Sequence, residues 1–333
     1  MATAHGVAGM SDTQRAVLAA LSEGIVSGPV LAEELDISRA AVWKQIEALR
    51  ADGFVVESTD AGYELVDVPE FGGAAVSLGL DAPVTVEYHD ELGSTNDRGR
   101  ELAAEGAADV AVLADEQVGS RGRLNREWTA PSGGVWLSLV LRPERPPAHV
   151  PLFTLAAAVA TTKAAREAGV PAEIKWPNDV LVPVDGDESN DDTLGRGGRK
   201  LAGILTEMEG EADRVSWLVV GIGVNANIDA ETLPAGATSI REEAGDVERR
   251  LFVQRLVEEF YALRDDSEAV LPAWREYSAT LGRRVRVETP GGVVEGEAVD
   301  VVHPGALVVD TDEGEVTVHA GDCEHLRSAE FDG

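Results

Sequence analysis

The 333-residue chain carries 60 acidic against 28 basic residues, a formal net charge of -32, with only 5% aromatic residues. Its 44% hydrophobic content still supports real cores, so wholesale disorder is excluded, and the length suits two or three domains. A single cysteine, Cys323, excludes an internal disulfide and a cysteine-based metal cluster; the histidines show no HxH or HExxH spacing, so no structural metal is expected.

Such a charge loosens a compact protein by self-repulsion unless salt screens it, and at ~1 M ionic strength the Debye length is only ~3 Å. The excess of acid predicts a protein adapted to molar salt, as in an extreme halophile, rather than one seeking a basic partner. No apolar run approaches the ~20 residues of a membrane helix, and the N-terminus lacks a basic segment followed by an apolar one. The expectation is a soluble cytoplasmic protein with no membrane partner. Residues 1–9 read as unstructured, with Met10 as an alternative start to Met1.

Residues 11–67 predict three helices and a hairpin. Ser11 or Asp12 caps the first helix, Ser27 the second and Ser38 the third, while Val42, Ile46 and Leu49 recur at core spacing. VVEST and YELV then close around a tight turn, the outline of a winged helix-turn-helix. Its recognition helix would present Ser38, Arg39, Lys44 and Gln45 within a motif spanning about 28–47. Residues 11–66 carry 4 basic and 10 acidic residues, a poor balance for phosphate binding, yet residues 38–52 alone are at +1. Both a DNA-binding role and a protein-contact role stay open on these residues.

A Pro/Gly-containing connector, 67–80, leads into residues 81–279, where many strands alternate with few helices. The pattern predicts a mixed α+β sheet with an Ala-rich helix near 152–168. Residues 183–199 are polar and acidic, the mark of a surface insertion between two strands. Residues 280–328 are strand and turn with glycine at each reversal, predicting a small SH3-like β-barrel that stabilises or docks and carries no chemistry.

Only four lysines occur: Lys44, Lys163, Lys175 and Lys200. In an arginine-rich chain, a retained lysine marks a place needing a compact point charge. Lys175 and Lys200 both stand in apolar, strand-like stretches, downstream of a glycine loop, 117–128, holding Arg121, Arg123 and Arg126. A flexible basic loop on an acidic chain implies an anionic ligand and a segment that orders around it. Phosphate-loop and dinucleotide fingerprints are absent: GRGGRKL lacks the closing Ser or Thr, and GIGVNA lacks the third glycine. Polyphosphate would then be handled by side-chain cations and a metal, with Asp179 as a hard oxygen ligand for Mg²⁺. If the IKWPNDVLV segment is extended, Lys175, Pro177 and Asp179 share one face.

The segments SRAAVWKQIEALRADG, LGSTND, EQVGSRGRLNREWTAPSGGVWLS, KWPNDVLV, KLAGILTE, VVGIGVNAN and AGDCEHLR occur in one order along the chain. With them the chain resembles the bifunctional biotin–protein ligase and biotin-operon repressor family over nearly its whole length. The resemblance implies ATP-dependent formation of biotinyl-5′-AMP, then transfer to a lysine of a biotin carboxyl carrier protein. It further implies operator binding and an adenylate-promoted homodimer formed through the central sheet.

Carried over by position, Ser94, Thr95, Asn96 and Gln117 would hold biotin's ureido ring, with Arg121, Gly122 and Arg123 closing over it. Lys200, beside Gly203, would bridge the biotin carboxylate and the α-phosphate. Asp179 would hold Mg²⁺ or take the acceptor lysine's proton. Trp128, Lys175, Asn178 and Asn225 would line the nucleotide end, while Gly221 and Gly223 let backbone approach the ligands. Ser120 and Asn125 stand where the family has loop glycines, and the insertion before Lys200 is longer than the usual turn. A lipoate–protein ligase, or a ligand-sensing regulator without ligase activity, is the alternative reading.

Overall fold

The computed structural model describes residues 10–123, 128–184 and 197–326. Asn125, Arg126 and most of the acidic insertion, residues 185–196, therefore lie outside the described residues.

Three helices open the fold: α1 (Asp12–Ser22), α2 (Gly28–Glu34) and α3 (Arg39–Ala51). Ser11, Ser27 and Ser38 each accept a backbone N–H through the side chain, as the capping pattern required. A hairpin of β1 (Val55–Thr59) and β2 (Gly62–Asp67) follows, and a bridge between Val26 and Tyr63 adds a third short strand to this wing. Val17, Leu18, Leu21, Leu31, Val42, Ile46 and Leu49 form the small core. On α3, Ser38, Arg39 and Lys44 are exposed and Gln45 is half-buried; Trp43, which the sequence reading passed over, is 57% exposed beside them. Arg50 is committed elsewhere. Its guanidinium donates to Val56 O at 2.9 and 2.6 Å and pairs with Glu47, so it pins the wing to α3 instead of facing a groove.

The connector is not plain coil. It contains α4 (Gly73–Ser77), whose Ala75 packs into the small core and Val76 into the large one. A helix this short has no readable periodicity; burial on two sides holds it.

The central domain comprises β3 (Thr85–Leu92), α5 (Thr95–Ala104), β4 (Val110–Gln117), β5 (Val135–Leu141), α6 (Val150–Glu167), β6 (Glu173–Lys175), β7 (Asp179–Val182), β8 (Arg199–Gly210) and β9 (Val215–Val224). Helices α7 (Ile240–Ala244), α8 (Arg249–Asp265) and α9 (Ser267–Glu276) complete it. The seven strands order as β3-β4-β5-β9-β8-β7-β6, with β3 and β4 parallel across α5 and the other pairs antiparallel. This is the mixed sheet the pattern predicted. Leu137, Leu139 and Leu141 face the side covered by α6, while Val140 faces α5. Alternation puts Ser138 on the α5 side too, a polar residue at 0% exposure between two apolar layers.

The last five strands, β10 (Arg284–Thr289), β11 (Gly292–Val302), β12 (Ala306–Thr311), β13 (Gly314–Val318) and β14 (Asp322–His325), form an antiparallel sheet ordered β13-β12-β11-β10-β14. Its Val285, Val287, Leu307 and Val309 belong to the same continuous core as the central domain. No helix among the described residues is long and apolar enough to cross a membrane.

One side chain ties the connector to the sheet. Arg249, at the start of α8 and 9% exposed, donates from Nε and Nη2 to the Glu70 carboxylate and from Nη1 to Asp115 Oδ1 at 2.6 Å and Gly134 O at 3.1 Å. Its guanidinium also stacks 4.2 Å from the centre of the Phe71 ring. Burial disfavours the charge, but the hydrogen bonds that Arg249 donates to Glu70 and Asp115 outweigh it and raise the Arg249 pKa. Arg249→Ala leaves Asp115 unpaired while Glu70, half exposed, turns to solvent. The expected loss is therefore about 2–3 kcal/mol, below that of a fully buried pair. Chemical denaturation in molar KCl checks this, and Arg249→Lys, which lacks the planar fork, should restore only part.

Candidate active site

A cleft of about 400 Å³ opens where the central sheet, the first turn of α5, the loop after β4 and strand β14 meet. All the residues that the sequence assigned to ligand contacts in the central domain line it, from Ser94 on α5 to Asn225 after β9.

At one end the polar groups interlock. Thr95 N–H donates to Gln117 Oε1 at 2.7 Å, and Thr95 Oγ1 lies 3.1 Å from the same oxygen. Beneath them Ser138 Oγ lies 2.7 Å from Thr95 Oγ1 and 2.6 Å from Asn96 Oδ1. Asn96 Nδ2 donates to Leu205 O at 3.3 Å and Glu207 Oε2 at 2.8 Å. Both amides are thereby oriented: the Gln117 oxygen faces a backbone N–H, and the Asn96 nitrogen faces two acceptors. Ser138, Gly221 and Leu205 stand in one row across β5, β9 and β8. A Cβ on Gly221 would lie 2.2 Å from Asn96 Oδ1, so this glycine makes room for a protein side chain. Gly221 also lines the cleft. Asn96 is likewise held by the protein rather than presented free. Ser138 itself was missed, because nothing in VWLSLVL distinguishes a functional serine from a filler.

The other end is cationic. Lys200 Nζ pairs with Asp179 Oδ1 at 2.6 Å and lies 5.1 Å from the centre of the Trp128 ring. An irregular register brings the pair together: Val180 faces Ala202, but Leu181 faces Lys200, skipping Leu201. This bulge turns Lys200 onto the face of Asp179 and Gly203; regular pairing would place it on the opposite one. Trp128 covers Gly203 and Gly223, where a Cβ would meet its ring at 3.3 and 3.1 Å. Its Nε1 is buried without a hydrogen-bond partner among the described residues.

The expectation that IKWPNDVLV runs extended is overturned. Strand β6 ends at Lys175 and β7 begins at Asp179, the two facing each other across a hairpin that reverses at 176–178 through a cis Trp176–Pro177 peptide. Lys175 and Asp179 still share a face, by cross-strand pairing rather than by alternation. Trp176 is buried, its Nε1 donating to Gly305 O at 3.0 Å. Asn225 Nδ2 donates to Thr238 O at 2.9 Å, which holds the 236–238 segment at the rim.

The loop is closed at its neck by Ser120 Oγ, which donates to Trp128 O at 2.5 Å; the serine standing for a glycine has a structural partner. Arg121 is exposed. Arg123 reaches two elements, donating from Nη1 to Asn178 Oδ1 at 2.9 Å and from Nη2 to Gly321 O at 2.8 Å. Asp322, Cys323 and Glu324 of β14 also line the cleft. The C-terminal sheet thus contributes a wall of the site, besides the stabilising or docking role expected of it. Among the described residues no group of three or more His, Cys, Asp or Glu forms a metal cage. Asp179 offers a single carboxylate, which suits a hard cation held mainly by a substrate's phosphates.

Lys175, 5% exposed, lies near Cys323 and His325. Burial, partly offset by Lys175, pushes the Cys323 thiol up to about 12, leaving it inert at neutral pH. Trp176 N donates to Thr280 Oγ1 at 2.9 Å, and Thr280 Oγ1 lies 3.1 Å from His325 Nε2, joining the hairpin to the C-terminal sheet.

The fold and cleft define a class: a small-molecule site on a mixed sheet, lysine and carboxylate at its centre, carrying a helix-turn-helix module. Residues 92–225 match the Biotin/lipoate A/B protein ligase family, 280–326 the Biotin protein ligase C terminal domain and 13–64 an HTH domain. The chain is 35% identical to the bifunctional ligase/repressor BirA of Bacillus subtilis, the match covering 90% of this chain and 93% of that one. It is 36% identical to the biotin–[acetyl-CoA-carboxylase] ligase of Mycobacterium tuberculosis over 71% of this chain and 87% of that one. The fold is similar to that of the biotin protein ligase from Aquifex aeolicus in complex with biotin and ATP, with TM-score 0.59, 24% identity and coverage of 73% of this chain and 99% of that one. The chain belongs to the bifunctional biotin ligase/repressor family.

Burial, reinforced by Lys175 and Arg283, lowers the His325 pKa from 6.5 to about 3. Within that interval the unfolded chain binds a proton at His325 that the folded chain does not, so stability falls as pH drops below 6.5. The contribution lost is about 2 kcal/mol by pH 5. Denaturation at pH 7 and 5 in molar KCl should show a smaller decline in His325→Gln than in the wild type; parallel declines would clear His325 of this role.

Proposed function

We infer that the protein activates biotin with ATP, transfers it to a lysine of a biotin carboxyl carrier protein, and represses transcription through its helix-turn-helix. The observation that carries the choice of acid is the hydrogen-bond inventory at the α5 end. Thr95, Ser138, Gln117 and Asn96 make three oxygen–oxygen contacts with only two hydroxyl protons among them, so the end is rich in acceptors. A ureido ring brings N–H donors to such a site; the dithiolane of lipoate brings none. This favours biotin over lipoate.

In the first step a biotin carboxylate oxygen attacks the α-phosphorus, its bond to the bridging oxygen breaks, and pyrophosphate leaves. Lys200 offers a positive charge where negative charge gathers between carboxylate and phosphate, and Asp179 holds its ammonium in place. Arg121, Gly122 and Arg123 belong to the loop that closes over biotin and the adenylate. Trp128, Lys175, Asn178, Asn225 and the backbone at Gly223 line the nucleotide end. Mg²⁺ would neutralise phosphate charge, with Asp179 as its protein ligand. In the second step the carrier lysine's amine attacks the acyl carbon and AMP departs; Asp179 takes the proton released if it does not serve as the Mg²⁺ ligand.

Three domains, 11–67, 81–279 and 280–328, carry these functions, the last as a closed SH3-like barrel. Ser38, Arg39, Lys44 and Gln45 would meet operator DNA, with the adenylate favouring a homodimer through the central sheet. The net charge of -32 supports work in a high-salt cytoplasm.

Pyrophosphate release with Mg-ATP in molar KCl tests the reading, comparing biotin, lipoate and no acid. Release that depends on biotin is the expected result, and dependence on lipoate would move the chain to the sister ligases. Lys200→Ala should lower the rate about 10²–10³-fold with the fold intact; a near-normal rate would remove Lys200 from the chemistry.

A further inference from the structure

We propose that Asn178 is a positioning residue for Arg123: its amide oxygen holds the guanidinium at the cleft through a neutral contact, leaving the positive charge available to an anionic ligand. The proposal rests on the reading of Arg123 as a residue that meets the adenylate.

The Asn178 side chain has one orientation open to it. Ile204 N–H donates to Asn178 O at 2.9 Å, and Asn178 Nδ2 donates to Ile204 O at 2.8 Å. Main chain and side chain are thus both fastened to β8. Asn178 Oδ1 is left to face the loop, where it accepts from Arg123 Nη1 at 2.9 Å. A guanidinium only donates and a backbone carbonyl only accepts, so a flipped amide would set like against like at both contacts. Asn178 closes the 176–178 reversal, directly before Asp179, which pairs with Lys200. Neighbouring residues of one hairpin therefore hold one cation of the cleft each, and all four side chains line it.

The kind of acceptor decides what the cation can still do. Arg98, Arg249 and Arg264 are held by the carboxylates of Glu87, Glu70 and Asp109, which offset their charge. Arg123 is held instead by two neutral oxygens, Asn178 Oδ1 at 2.9 Å and Gly321 O at 2.8 Å. Those contacts use only part of the guanidinium's donors and none of its charge. They also come from two separate sheets, which fixes the planar fork at both Nη atoms. A phosphate oxygen meeting this fork finds it already ordered, at a smaller entropic cost than gathering a free arginine.

The test is the rate at which the full-length protein, loaded with labelled biotin and Mg-ATP in molar KCl, releases biotinyl-5′-AMP into an unlabelled chase. Arg123→Ala should release it about 10–100-fold faster. Asn178→Ala should release it about tenfold faster. The two changes combined should be no faster than Arg123→Ala alone, because both remove the same contact. Asn178→Asp offers Arg123 a stronger partner but offsets its charge, so it should release at least as fast as Asn178→Ala. Wild-type release from Asn178→Ala overturns the proposal, and so do additive effects in the double variant. Wild-type release from Asn178→Asp overturns it as well, since a purely structural hold would survive as an ion pair. If loss of the Ile204 contact lowers Tm in the Asn178 variants, Arg123→Lys takes their place. Its ammonium keeps the charge but lacks the fork that spans both acceptors, so release should quicken about tenfold, and wild-type release there overturns the proposal. A wild-type protein that forms no adenylate, or wild-type release from Arg123→Ala, would instead overturn the functional reading beneath it.

Discussion

Arg249 is the constraint on which the arrangement of the parts depends. A guanidinium buried at the start of α8 satisfies a carboxylate on the connector, a carboxylate on β4 and a carbonyl at the start of β5. Those last two groups lie on either side of the 117–134 segment that supplies the arginine loop. The connector carrying the helix-turn-helix and the strands carrying the loop thus share Arg249 as a common partner, beside the packing of Val76 into the central core. Ser132 Oγ, bonded to Asp115 Oδ2 at 2.5 Å, extends the same cluster toward the loop.

The cleft is built on the same economy of parts. Each functional side chain is aimed by backbone geometry: α5 by its Ser94 cap, Lys200 by a bulge, and Lys175 and Asp179 by a two-stranded reversal. Small residues at Ser138 and Gly221 leave the volume that Asn96 fills. The C-terminal sheet joins through a shared core and through Arg123, so the cleft is completed only when both units are folded together.

Much of this was legible in the sequence. Serine caps and core spacing placed α1, α2 and α3, because those signals act within one turn of helix. The alternating hydrophobic runs and the one long Ala-rich helix indicated a mixed sheet. Scarce lysines in apolar surroundings pointed to Lys175 and Lys200. What the sequence did not show depends on contacts between distant residues. Ser138 gains its significance from Thr95 and Asn96, more than 40 positions away. Arg50 reads as a surface cation until the wing carbonyl it binds is known. The 176–178 reversal hides within a run whose composition suits an extended strand. Strand β14 reaches the cleft only because the last sheet folds back over the first turns of the site.

The bulge in β8 has an evolutionary consequence. Strand pairing assigns faces by parity, so the identity of a residue and the side it serves are inherited separately. Point substitutions around Lys200 leave parity untouched and can be explored one at a time. Regular pairing with every residue kept would exchange the two faces at once, turning the ammonium into the apolar layer and Leu201 toward Asp179. Which side of the sheet the ammonium serves is therefore set by one irregular step in the pairing of β7 with β8.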